Sequence, residues 1–143
     1  MKLSTKARYA VMSLVELATH DAAQPLGLQE ISDLQEISLT YLEQIFMKLR
    51  KAGLVESVRG PGGGYLLARP AASVCVADIF EAMEESLQST RCNAESHQGC
   101  RANLGRCSTH DLWDAMDKEL HSFLSRVTLD DVINRRLGKD IAA

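Results

Sequence analysis

Three of the chain's four cysteines and two of its four histidines fall within the nineteen residues from Cys92 to His110. A stretch so composed has no apolar period on which a helix or strand could be built. Gly99 and Gly105 free its backbone to close tightly, so it reads as a loop folded around something. Four metal ligands can be drawn from it: Cys92, Cys100, Cys107 and His110, separated by seven, six and two residues. Three thiolates and one imidazole suit tetrahedral zinc or an iron-sulfur cluster. Zinc sites usually include a pair of cysteines about two to four residues apart. No such pair occurs here, so the wide spacing tilts the reading toward a cluster, with zinc and a merely redox-active or inert loop as the alternatives.

His110 sits where its chemistry can be argued. Ser108 and Thr109 are N-cap residues, and Ser108 with Asp111 resembles a capping box ahead of the apolar residues Leu112, Trp113 and Met116. His110 then lies in the first helical turn. The positive end of the helix dipole there disfavours imidazolium, keeps a ring nitrogen free to ligate and favours an anionic thiolate-metal group nearby.

The rest of the chain must supply a scaffold. With 143 residues, 45% of them apolar and 5% aromatic, it suits one soluble globular domain or a small domain with an appendage. No run of eighteen apolar residues occurs, which excludes a spanning helix. Met1 to Arg8 carries no signal-peptide pattern, so the expected location is the cytoplasm, where reduced thiols persist for metal. The net charge of -3 does not announce nucleic acid. Residues 1–69, however, carry eight Lys or Arg against seven Asp or Glu, and residues 70–143 eight against twelve, an asymmetry that permits DNA binding without demanding it.

Residues 6–20 place Ala7, Ala10, Val11, Leu14, Leu17 and Ala18 at helical spacing behind Ser4 or Thr5 as cap. Gln24 to Gly27 breaks the pattern. A short second helix follows with Leu28, Ile31 and Leu34 on one face, and Ser38 caps a third that runs to about Ala52 and stops at Gly53. Leu42, Ile45, Phe46 and Leu49 form the inward stripe of that third helix. Thr40, Glu43, Gln44, Met47 and Lys51 lie roughly opposite, flanked by Tyr41 and Lys48. Two short helices with the second capped at its start match a helix-turn-helix, whose second helix meets base edges in a major groove. An ordinary three-helix packing unit is the rival.

The following residues favour the first reading. Leu54 to Arg59 and Tyr65 to Ala68 read as strands joined by Gly60-Pro-Gly-Gly-Gly64. A hairpin directly after a recognition helix is a wing, its tip with Gly60 and Gly62 able to approach a phosphate backbone and Arg59 able to enter a minor groove. A nucleotide-binding glycine loop fails because no Lys-Ser or Lys-Thr follows, and Tyr65 occupies the third glycine position.

Ser73 is expected to cap a helix with Val76, Ile79, Phe80, Met83 and Leu87 inward, ending near Ser89, with Cys75 as a small buried hydrophobe. Beyond the loop, Trp113, Met116, Leu120, Phe123 and Val127 follow the three-four spacing of a dimerisation seam. Such a helix behind a winged unit points to a twofold dimer reading a pseudo-palindromic operator. The alternative is that the stripe packs on its own domain. Thr128 to Asp131 caps a final short helix with Val132, Ile133 and Leu137.

The stretches Lys6-Ala-Arg-Tyr-Ala-Val11, Ile37-Ser-Leu-Thr-Tyr-Leu-Glu-Gln44, Leu49-Arg-Lys-Ala-Gly-Leu-Val55, Val58-Arg-Gly-Pro-Gly-Gly-Gly-Tyr-Leu-Leu67 and Cys107-Ser-Thr-His110 resemble the winged-helix bacterial repressors that sense iron-sulfur clusters or nitric oxide. The likeness covers nearly the whole chain. The Cys-x-x-His ending before Leu112-Trp113 resembles the cluster-sensing branch rather than the nitric-oxide sensors.

The resemblance implies a mainly α fold with a small β-hairpin wing: a winged helix-turn-helix over residues 1–70 and a connecting helix over 71–90. It then implies a cluster-binding loop over 91–110, a dimerisation helix with a terminal short helix over 111–137, and a tail over 138–143. It implies a non-enzymatic homodimer with one 2Fe-2S cluster per chain, held by Cys92, Cys100, Cys107 and His110. Its partners would be a double-stranded DNA operator and the cluster assembly machinery, whose operon the cluster-loaded form represses. Ser38, Thr40, Tyr41 and Gln44 would be recognition contacts, Arg59 the minor-groove reader, and Glu43 the residue that discriminates operators by cluster state. The family's loops are usually shorter between cysteines, and the extra length here brings His97 within reach as a competing ligand.

Four rivals remain. A nitric-oxide or redox sensor, or a zinc-stabilised repressor, would share the wing. An electron carrier would need no wing. A thiol enzyme using Cys107 with His110 as base lacks a third orienting residue.

Overall fold

The Ser4 hydroxyl accepts from the Ala7 N–H at 3.1 Å and starts helix α1, Thr5–Thr19, which buries Ala7, Ala10, Leu14 and Leu17 along one stripe. The computed structural model to which this helix belongs describes residues 3–90, 92, 100, 101 and 105–138. Helix α2, Leu28–Gln35, ends on Glu36 in the left-handed region (φ 54°). The turn to helix α3, Leu39–Lys51, is closed by Ser38, whose hydroxyl accepts from the Tyr41 N–H at 3.2 Å. Leu42, Ile45, Phe46 and Leu49 of α3 are all fully buried.

Gly53, at φ 74°, turns the chain out of α3 into strand β1, Val55–Val58. It pairs antiparallel with β2, Gly64–Leu67, in the register Val55 with Leu67 and Val58 with Gly64. The hairpin is tied back to the body where Leu26 and Tyr65 exchange backbone hydrogen bonds of 3.0 and 2.9 Å. That contact needs Gly64: a Cβ there would stand 2.4 Å from the Leu26 carbonyl oxygen.

The connecting segment differs from expectation. Ser73 ends a 3-10 turn, Ala71–Ser73, and helix α4 is only Val76–Ala82. Cys75 is its N-cap residue, half-buried, with its N–H donating to Asp78 Oδ2 at 3.1 Å. The helix stops early because Glu84 takes a left-handed φ of 57°, while the Glu84 and Glu85 N–H groups donate to the carbonyls of Glu81 and Phe80. That is a Schellman turn without its usual glycine. Residues to Ser89 are therefore not helical, and Leu87 packs on the core from outside the helix.

Helix α5, His110–Arg126, begins after Thr109, not Ser108. The Thr109 hydroxyl makes no cap bond; it accepts from Trp113 Nε1 at 3.0 Å instead. Thr128 and Asp131 form the expected capping box of helix α6, Leu129–Ile133, while Leu137 lies beyond it and is exposed. The entry to α4 pairs with the α5–α6 junction, Val76 N–H to Val127 O and Leu129 N–H to Val74 O. Among the described residues no helix is long and apolar enough to cross a membrane.

Candidate metal centre and nucleic-acid face

The loop's donors converge at the head of α5. One ligand atom each from Cys92, Cys100 and His110 lie within 4.8 Å of one another. Cys107 joins them, its Sγ 3.5 Å from that of Cys92 and its backbone N–H 2.9 Å from Cys100 Sγ. His110 Nδ1 stands 3.6 Å from Cys100 Sγ. Cys92 and His110 are each 4% exposed, whereas Cys100 and Cys107 are half-buried, so the group is closed on one side and open on the other. Arg101 N–H to Gly105 O, 3.1 Å, narrows the loop between Cys100 and Cys107. His97, the candidate competing ligand, lies outside the described residues.

The thiols differ in acidity. Burial, and then the neighbouring Cys100 and Cys107 thiols, push Cys92 up to about 11. Cys107 is held down at about 7 by a hydrogen bond from Cys100, then by the Thr109 hydroxyl and backbone N–H. Only the thiolate ligates, so Cys107 is better prepared than Cys92 to take a metal at neutral pH. Sulfur donors and one ring nitrogen, with no carboxylate among them, fit zinc or an iron-sulfur group and do not suit magnesium or calcium.

Supporting contacts without a sequence signature hold this site. The Thr90 hydroxyl accepts from the Cys92 N–H at 3.2 Å. Ser89 donates twice to Asp117 Oδ1 of α5, from its N–H at 3.0 Å and its hydroxyl at 2.5 Å. That clamp pins the strap between α4 and Cys92 onto α5. A serine and an aspartate 28 positions apart carry no periodic signal, so only the folded chain reveals them.

On α3, Ser38, Thr40, Glu43 and Gln44 are exposed. Tyr41 is half-buried, edge-on to the Tyr9 ring at 5.8 Å. Lys48 is half-buried and paired with Glu84. Arg59, Gly60 and Gly62 are exposed at the hairpin tip, with Gly60 at φ 100° and Gly62 at φ 73°.

The expected dimerisation seam is divided. Met116 and Phe123 are exposed, joined by Leu112, which the spacing had not singled out, while Trp113 and Leu120 are half-buried. Val127 is a correction: it is 3% exposed and packs in the domain's own core, because its backbone pairs with Val76 and turns it inward.

The Rrf2 family, described as iron-dependent transcriptional regulators, matches residues 3–135. Over 142 residues the chain is 44% identical to the HTH-type transcriptional regulator IscR of Photorhabdus laumondii, covering 99% of this chain and 85% of that one. The IscR of Escherichia coli O1:K1 is also 44% identical, over 99% and 86%. Among solved structures, T. potens IscR is similar at TM-score 0.76 and 34% identity, covering 100% of this chain and 93% of the other. The global cysteine regulator CymR of B. subtilis is similar at TM-score 0.79 and 29% identity, covering 94% and 98%.

Proposed function

We propose, from the premise that this chain belongs to the Rrf2 family of iron-dependent transcriptional regulators, that it is a DNA-binding repressor governed by a 2Fe-2S cluster. The protein is a transcriptional regulator with a winged-helix fold. In this reading it works in the cytoplasm as a homodimer through the exposed side of α5, and binds double-stranded operator DNA through α3 and the wing. Cys92, Cys100, Cys107 and His110 are the cluster's ligands, and the cluster-loaded form represses the operon for cluster assembly.

The observation that carries this reading is the donor geometry. Three thiols and one imidazole gather in a single group, with Cys92 Sγ 3.5 Å from Cys107 Sγ, Cys100 Sγ 3.6 Å from His110 Nδ1, and Cys92, Cys100 and His110 within 4.8 Å of one another, a donor set that would hold an iron-sulfur cluster. A bound cluster supplies oxidation- and iron-sensitive ligation, so its occupancy reports cluster supply. The chain's own residues do the rest: the thiols and imidazole join the strap ending at Cys92 to the head of α5, and the Ser89–Asp117 clamp transmits their position along that helix. A zinc ion would use the same donors, and all three of Cys92, Cys100 and His110 within 4.8 Å would serve it.

The deciding experiment is iron, acid-labile sulfide and zinc per chain on anaerobically purified protein. Two irons with two sulfides are expected. One zinc without sulfide would leave a structural metal and remove the cluster-feedback function.

Glu43 supplies a second test. A carboxylate in a major groove is repelled by phosphates and accepts mainly from cytosine, so it excludes many sites. Glu43→Ala is expected to let metal-free protein bind, roughly tenfold more tightly, sequences that the wild type rejects in that state. Duplexes selected from a random pool by each protein would read this out, and identical pools would reject Glu43 as discriminator.

A further inference from the structure

The basic groups of the recognition helix are not all free. Lys48 Nζ donates to Glu84 Oε2 at 2.5 Å, a contact between residues 36 positions apart that joins α3 to the end of α4. Glu84 is the left-handed residue of the Schellman turn, so the backbone fixes the direction in which its side chain leaves the strap. The Lys48 side chain is 29% exposed and that of Glu84 77%, so the carboxylate is the outer, displaceable partner. Its surroundings are basic: Lys48 above all, with Lys6 and Lys51, draws the carboxyl below the usual range. Ammonium groups from α1 and α3 that act on this exposed carboxylate make a charge arrangement in which a backbone phosphate binds.

We infer that Glu84 stands in for a DNA phosphate on Lys48, and so withholds one backbone contact from the duplex. This rests on the DNA-binding reading above. Glu84 is a positioning residue that acts through Lys48. Phosphates carry no sequence information, so the contact weakens binding to every sequence alike. The segment that bears Glu84 is clamped at Ser89 to Asp117 of α5, the helix whose first residue is His110, so this brake lies on a segment tied to the helix that carries one of the candidate ligands.

The test compares full-length wild type, Glu84→Gln, Lys48→Met and the double variant. Each is titrated with a duplex selected by the wild type and with an unrelated duplex of equal length, across a range of salt. Glu84→Gln is expected to bind both duplexes about two- to fivefold more tightly at low salt, the range of an exposed ion pair. Its salt dependence should steepen by about one counterion, as one more phosphate is neutralised. In the Lys48→Met background the same substitution should change neither quantity. A gain that persists without Lys48 would assign the effect to general repulsion and overturn the inference, as would no gain in the single variant. If the wild type binds neither duplex above background, the DNA-binding reading itself fails and takes this inference with it.

Discussion

Cys107→Ala is expected to leave the purified chain without iron or sulfide while the wing domain stays folded. Cys107 is the most acidic of the thiols with a resolved shift, at about 7, and it touches two other members of the set. Removing it deletes a sulfur whose ionisation is favoured and the partner of the buried Cys92. Loss of a mere supporting contact typically costs ten- to a hundredfold in metal affinity, so deletion of a ligand should cost more than about a hundredfold. Loading after desalting should then fall from full to undetectable by metal and sulfide analysis. Cys75→Ala is the matched control: it removes a thiol at the N-cap of α4, bridged to Thr128 and outside the donor group. Retained metal in Cys107→Ala, or lost metal in Cys75→Ala, would mean that the ligands have been misassigned. Circular dichroism should show helix content unchanged, since none of the described residues between Cys100 and Cys107 belongs to the buried core.

The largest effect on stability falls elsewhere. Phe46 is fully buried at the centre of α3, and its ring packs against Tyr65 of β2 with centroids 4.8 Å apart. Phe46→Ala removes a whole aromatic side chain from the joint between the recognition helix and the wing. Such truncations cost about 3–5 kcal/mol, against a total of about 5–15 kcal/mol for a domain of ordinary stability. A fall in Tm of about 10 °C or more is expected, read by thermal denaturation. Met47 is the adjacent residue on the same helix but 65% exposed, so Met47→Ala should stay within about 0.5 kcal/mol of the wild type. Similar losses for the two would show that α3 does not pack by this face.

Much of the winged unit was legible because its signals are local. Ser38 announces α3 by capping it three residues ahead, Gly53 ends it, and Leu42, Ile45, Phe46 and Leu49 recur at the helical period. Thr128 and Asp131 likewise announce α6. The candidate site was legible as a set of residue types: three cysteines and a histidine crowded into a segment with no apolar period. Where local signals misled, a distant contact was the cause. The apolar residues after Ser73 imply a helix to Ser89, yet the chain leaves it at Glu84, where buried Met83 holds the turn and Ser89 is claimed by Asp117. Val127 continues the spacing of Trp113 and Leu120, but pairing with Val76 rotates it into the core.

The sequence by itself determined where α1, α2, α3, the hairpin and α6 form, which face of α3 is buried, and which residue types could bind a metal. Caps, periods and donor types act within a few residues of one another, so they survive in the linear order. The tertiary structure alone decided that Cys92 is buried and Cys107 acidic, that Asp117 holds the strap, and that Glu84 pairs with Lys48. Each of these is an interaction of charge, hydrogen bonding or desolvation between groups that only the packing of α3, α4 and α5 brings within reach, and such energies depend on distance in space.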